Sequence, residues 1–111
     1  MTNTQLELQS HVKGIANQIH YAKYDFDKHY SDFEEPCAGD YLKDVLDINY
    51  IINRDRTYKG ARILVAFGGP NIWIDTSKGI VEGFWGTDSA IAYFTDNLGL
   101  ADYLEQLFNS Y

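Results

Sequence analysis

Between Ile48 and Trp85 the apolar residues fall into four short runs of period two, separated by turn-forming residues. Alternation of this kind puts successive side chains on opposite faces of a pleated strand, and short connections make neighbouring strands antiparallel. The runs are residues 48–52, 62–67, 72–75 and 80–85, divided by Asn53-Arg54-Asp55-Arg56, by Gly68-Gly69-Pro70-Asn71 and by Thr76-Ser77-Lys78-Gly79. Pairing Ile74 with Val81 keeps Ile72, Ile74, Val81 and Trp85 on one face and puts Trp73, Asp75, Glu82 and Phe84 on the other. The first face is the candidate core.

On either side of this meander the period is helical. Leu8, Val12, Ile15, Ile19 and Ala22 recur at steps of four and three, which marks an N-terminal helix with one buried stripe. Thr4 and Glu7 have the spacing of a capping box, and Gly14 marks a place where another element could pack close. Residues 24–39 read as a continuation of that helix followed by a loop, after which Asp40 caps a short turn with Tyr41, Leu42, Val45 and Leu46 facing inward. Beyond the sheet, Gly86-Thr87-Asp88 opens a short helix through Ala90, Ile91 and Phe94. Leu100, Leu104, Leu107 and Phe108 form the stripe of a last one. The expected fold is a single α+β domain: an N-terminal helix, a four-stranded antiparallel meander and C-terminal helices packed on one sheet face.

The chain has 111 residues and a formal net charge of −7, with 45% hydrophobic and 15% aromatic side chains. That apolar content supports a packed core, and the acidic balance argues against direct binding to nucleic acid or to an anionic membrane. No apolar run approaches a membrane span, and the first residues lack a signal core. Cys37 is the only cysteine, so no disulfide forms within one chain, and a reducing cytoplasm is the expected compartment.

No catalytic or metal signature stands out, and neither enzymatic activity nor a cofactor is expected. His11 and His20 are nine residues apart, on opposite sides of a helix, and Asp25-Phe26-Asp27 departs from a calcium loop where Tyr30 replaces the required glycine. Cys37 with His29 has no ordering signature, and no serine sits in a nucleophile elbow. Glu34 and Glu35 are adjacent and diverge, whereas acid–base work needs convergent carboxyls. The glycines at 68–69 read as a turn. Those at 83 and 86 precede the expected short helix, where Asp88 would repel an anion.

Charge placement is more informative. Asp25, Asp27, Asp32, Glu34, Glu35, Asp40, Asp44 and Asp47 face only Lys28 and Lys43 in their segment, whereas Arg54, Arg56, Lys59 and Arg62 oppose only Asp55. The bland account of the acidic run is a solvated face. The sharper one is a mimic of a nucleic-acid backbone, in which Asp25, Asp27, Asp32, Glu34, Glu35, Asp40 and Asp44 stand in for phosphates. Tyr24, Phe26, Tyr30, Phe33 and Tyr41 would anchor them on a basic protein such as a nucleic-acid-binding enzyme. A separate expectation is that Trp73 and Phe84 form an exposed aromatic patch on the face away from the helices, used to form a homodimer.

The segment Ala66-Phe67-Gly68-Gly69-Pro70-Asn71-Ile72-Trp73-Ile74-Asp75-Thr76, with Gly79 and Glu82-Gly83-Phe84-Trp85-Gly86, resembles small acidic proteins of uncharacterised role carried by bacterial conjugative transposons, plasmids and phages. The resemblance covers about a quarter of the chain. It implies a setting in which accessory proteins neutralise host defence nucleases, of the restriction or CRISPR kind, with acidic surfaces.

Overall fold

A computed structural model describes residues 3–22 and 37–110. Helix α1 (Asn3–His20) leads, α2 (Ala38–Tyr41) runs into a single 3-10 turn (Leu42–Asp44), and five strands follow. They are β1 (Asp47–Ile52), β2 (Tyr58–Ala66), β3 (Asn71–Asp75), β4 (Ile80–Trp85) and β5 (Asp88–Tyr93), and α3 (Leu100–Asn109) closes the chain. The strands lie in sequence order as one antiparallel sheet. The fold is α+β, with a fifth strand and one C-terminal helix where four strands and several helices were expected.

The difference lies at residues 88–93. Gly86, at φ 61, and Thr87 form a two-residue loop between the paired residues Trp85 and Asp88, and glycine at the first central position lets so tight a loop close a hairpin. Ala90 and Ala92 then turn toward α1, and Ile91 and Tyr93 turn away from it. In sequence, Ala90 beside Ile91 satisfies a helical stripe as well as it satisfies alternation. The open partner edge of β4 decides between them.

The register in the middle of the sheet is the expected one: Ile74 pairs with Val81, and Trp73 with Glu82. The inner face therefore carries Ala61, Ile63, Ile72, Ile74 and Val81, which are buried. Leu8, Val12, Ala16 and Ile19 of α1 cover its β4–β5 half, and α3 covers β2 with Leu100 and Leu104. Gly83 makes the close approach possible, since a Cβ there would stand 2.7 Å from Leu8 Cδ1 and 2.8 Å from Val12 Cγ1. Gly14, the glycine expected to mark such a contact, faces open space. Phe108 of α3 packs its ring 5.3 Å from that of Tyr50 and 5.8 Å from that of Tyr58, extending the core to β1.

Several boundaries shift from their expected places. Thr4 lies inside the first turn of α1, because the helix already begins at Asn3, so it is not the residue preceding the helix. At the other end α1 stops at His20, and Ala22 takes a left-handed φ of 50, which turns the chain out of the helix. The short turn begins at Ala38 instead of after Asp40; Leu42 is buried there, but Leu46 is 59% exposed. Tyr41 ties this turn to α1 by donating its hydroxyl to Gln18 Oε1 at 3.2 Å, and burial pushes its phenol up to about 12. At the start of α3 one Asp96 carboxylate accepts the N–H groups of Gly99, Leu100 and Ala101 at 3.0, 2.9 and 2.8 Å, and it satisfies donors that a helix start leaves unpaired.

Candidate binding surface

Both long helices lie on the inner face, and the outer face of the sheet is exposed in part, with Asp75 and Ile80 buried on it and Phe84, Ile91 and Tyr93 exposed. Pairing across the strands aligns its side chains in rows. One row runs Leu64, Trp73, Glu82 and Ile91; the next runs Arg62, Asp75, Ile80 and Tyr93; a third holds Asn71, Phe84 and Ser89. Trp73 and Phe84 thus lie on the face predicted from alternation.

Their exposure differs. Arg62 lays its guanidinium over the Trp73 ring, 4.8 Å from the centroid, and places Nη2 3.4 Å from Glu82 Oε1. Its stem and charge cover much of the indole, a combination of cation–π attraction and apolar packing. Asp75 is buried below, with Oδ1 accepting Ser77 N–H at 3.0 Å, Ser77 Oγ–H at 2.6 Å and Lys78 N–H at 3.2 Å, so it organises the β3–β4 turn. The bare part of the face lies toward β5, where Phe84, Ile91 and Tyr93 are 42%, 55% and 80% exposed. Alternation along β5 puts Ile91 and Tyr93 on this face, whereas the short helix expected through Ala90, Ile91 and Phe94 offers neither as a surface residue.

The free edge of β5 adds a second surface. Phe94 donates its N–H to Gly79 O at 3.0 Å, so in an antiparallel ladder Ala92 and Ala90 also bond toward β4, and Ser89, Ile91 and Tyr93 point their backbone groups outward. Gln5 of α1 donates Nε2–H to Ser89 O at 2.8 Å, and Thr95 N–H donates to His20 Nδ1 at 3.3 Å. Asn97 Nδ2 donates to His20 O at 2.6 Å. These contacts hold α1 alongside the edge at both ends. Between them lies a groove of about 390 Å³ whose lining includes Gln9, Lys13 and Asn17 on one side and Ile91 and Tyr93 on the other.

The charged candidates fall elsewhere. Asp25, Asp27, Asp32, Glu34 and Glu35 lie outside the described residues, as does His29. Asp40 belongs to α2, and Asp44 and Asp47 are exposed near the β1 edge, across the sheet from β5. The basic cluster is split: Arg54, Arg56 and Lys59 are exposed at the β1–β2 hairpin without an ion pair among the described residues, while Arg62 is committed to Trp73 and Glu82. Asp55 forms no ion pair with them; its carboxylate accepts the Thr57 hydroxyl at 2.5 Å and the Thr57 N–H at 3.1 Å, which holds it below the usual carboxylate range. Among the described residues no group of three or more His, Cys, Asp or Glu side chains is placed to hold a metal, and no helix is long and apolar enough to cross a membrane.

The glycine segments behave as turns. Gly68 takes a φ of 101 and donates its N–H to Asn71 Oδ1 at 3.2 Å, and Gly86 leads into a strand, so no helix N-terminus follows it to hold an anion. Residues 66–86 form the end of β2, then β3, β4 and their turns. No family model, no curated protein and no solved structure matches the chain.

Proposed function

We propose that this chain is a non-enzymatic binding protein whose contact surface is the outer face of the sheet at β4 and β5. The observation that carries this reading is the adjacency of Phe84, Ile91 and Tyr93, all exposed, on the face opposite both long helices. Apolar side chains grouped in this way mark contact surfaces more often than scattered ones do. A second copy of the chain is the partner this face suits. A two-fold interface must complement itself, and Arg62 and Glu82 sit on the face as an internal ion pair, so apposed copies meet both signs of charge. Sedimentation of the wild type is expected to give a dimer, and Phe84→Ser with Tyr93→Ser a folded monomer. A wild type that stays monomeric at high concentration overturns the homodimer.

The acidic run supports a second, separate contact, favoured by the exposure of Asp44 and Asp47 at the opposite edge of the sheet. In this reading the run mimics a nucleic-acid backbone toward a basic partner, in the manner of an inhibitor of a host defence nuclease. Converting Asp32, Glu34, Glu35 and Asp40 together to their amides is expected to abolish salt-sensitive binding to such a partner while leaving the circular dichroism spectrum unchanged. Undiminished affinity ends this reading.

A further inference from the structure

An edge strand exposes a row of backbone donors and acceptors, and most proteins protect such edges with lysine, proline, a bulge or a covering segment. β5 has none of the first three. Ser89, Ala90, Ile91, Ala92 and Tyr93 are uncharged, and their pairing with β4 is regular throughout. Helix α1 gives partial cover, since Gln5 takes the Ser89 carbonyl and His20 accepts from the Thr95 N–H. Between those two contacts the N–H and C=O groups of Ile91 and Tyr93 point outward with no partner among the described residues.

We propose that an extended peptide of another protein adds to β5 in the groove beside α1, with carboxylate side chains facing α1 and apolar side chains on the outer face. This rests on reading the chain as a binding protein and specifies the chemistry of a ligand at the β5 edge, which shares Ile91 and Tyr93 with the outer face. The backbone groups of Ile91 and Tyr93 supply the ladder bonds, as in other cases of strand addition. Because the added strand alternates, every second side chain points to the α1 side, where Gln9, Lys13 and Asn17 line the groove. Lys13 has no carboxylate partner among the described residues, so an acidic side chain there gains a charge-assisted contact. The remaining side chains lie beside Ile91 and Tyr93, whose exposed apolar surface they cover. Contacts at both ends of α1 hold the groove open before binding, which reduces the ordering cost.

A second copy fits this groove poorly. Antiparallel pairing of two β5 edges brings α1 of each copy to the same side, and Lys13 then faces a lysine where the groove calls for an acid.

The test is fluorescence anisotropy with a labelled, capped pentapeptide alternating valine and aspartate, against the same peptide with lysine in place of aspartate. The net charge of −7 favours the lysine peptide, so a preference for aspartate has to arise in the groove. The wild type is expected to bind the aspartate peptide about fivefold tighter, and Lys13→Glu to reverse the order. Ile91→Pro removes an N–H that β4 does not use, and it is expected to abolish binding of both peptides with an unchanged circular dichroism spectrum. The Phe84→Ser variant, which weakens the outer-face contact and leaves the residues lining the groove in place, is expected to keep the preference for aspartate, which separates this proposal from self-association by the outer face. Absence of binding, equal affinity for the two peptides, or a preference untouched by Lys13→Glu overturns it.

Discussion

Replacing Gly60 with alanine is expected to lower stability by about 3 kcal/mol, at the upper end of the usual cost of overpacking. Gly60 is buried in β2, and a Cβ there would stand 2.6 Å from Ser77 Cβ and 2.9 Å from both Ser77 Cα and Ser77 N. These neighbours cannot step aside as the end of a long side chain would. Ser77 is fixed through its N–H and its hydroxyl to Asp75 Oδ1, and Thr76 is bound to Ala61 from both sides, accepting Ala61 N–H at Oγ1 (2.9 Å) and donating its own N–H to Ala61 O (3.0 Å). Relief therefore requires the β3–β4 turn to move away from β2, with loss of some of those bonds. Urea unfolding followed by circular dichroism measures the effect, and Gly14→Ala is the control. At Gly14 a Cβ meets nothing within 4 Å inside a helix, so alanine there is expected to stabilise by about 0.5–1 kcal/mol. A Gly60→Ala midpoint equal to that of the wild type contradicts the close packing of the turn on β2.

The second large effect is at the seam between α1 and the sheet. Leu8 is fully buried and lies over Gly83, so Leu8→Ala is expected to cost about 3 kcal/mol, from lost burial and from a cavity that the rigid sheet below cannot fill. Gly83→Ala strains the same place from the other side, with its new Cβ inside the contact distance of both Leu8 and Val12, and is expected to cost about 2 kcal/mol. The two changes should not add. Truncating Leu8 vacates part of the space that the Gly83 methyl needs, so the double variant is expected to be more stable than the sum by about 1 kcal/mol. Additive losses in a double-mutant cycle place Leu8 and Gly83 out of contact.

These two sites illustrate how differently parts of the fold are written into the chain. The Ile74–Val81 register follows from alternation, because only one choice buries Ile72, Ile74 and Val81 together. The stripes of α1 and α3 are legible for the same reason. Gly60 and Gly83 carry no such mark: which of the nine glycines is pressed against a neighbour depends on elements 17 residues away for Gly60 and more than 70 for Gly83. Gly14, inside a regular helix, is the glycine at which a close contact was expected, and it faces open space.

The binding surface divides along the same line. By itself, the sequence determined the fold class, the middle of the sheet, and the placing of Trp73 and Phe84 on the face away from the core, since each follows from a local period that one buried face selects. Only the tertiary structure decided that Arg62 covers Trp73, that residues 88–93 become a strand with Ile91 and Tyr93 exposed, and that α1 meets the β5 edge through Gln5 and His20. Each of those outcomes is a competition among partners distant in sequence. For residues 88–93 a helical stripe and a strand are close in local preference, and pairing with the open edge of β4 tips the balance.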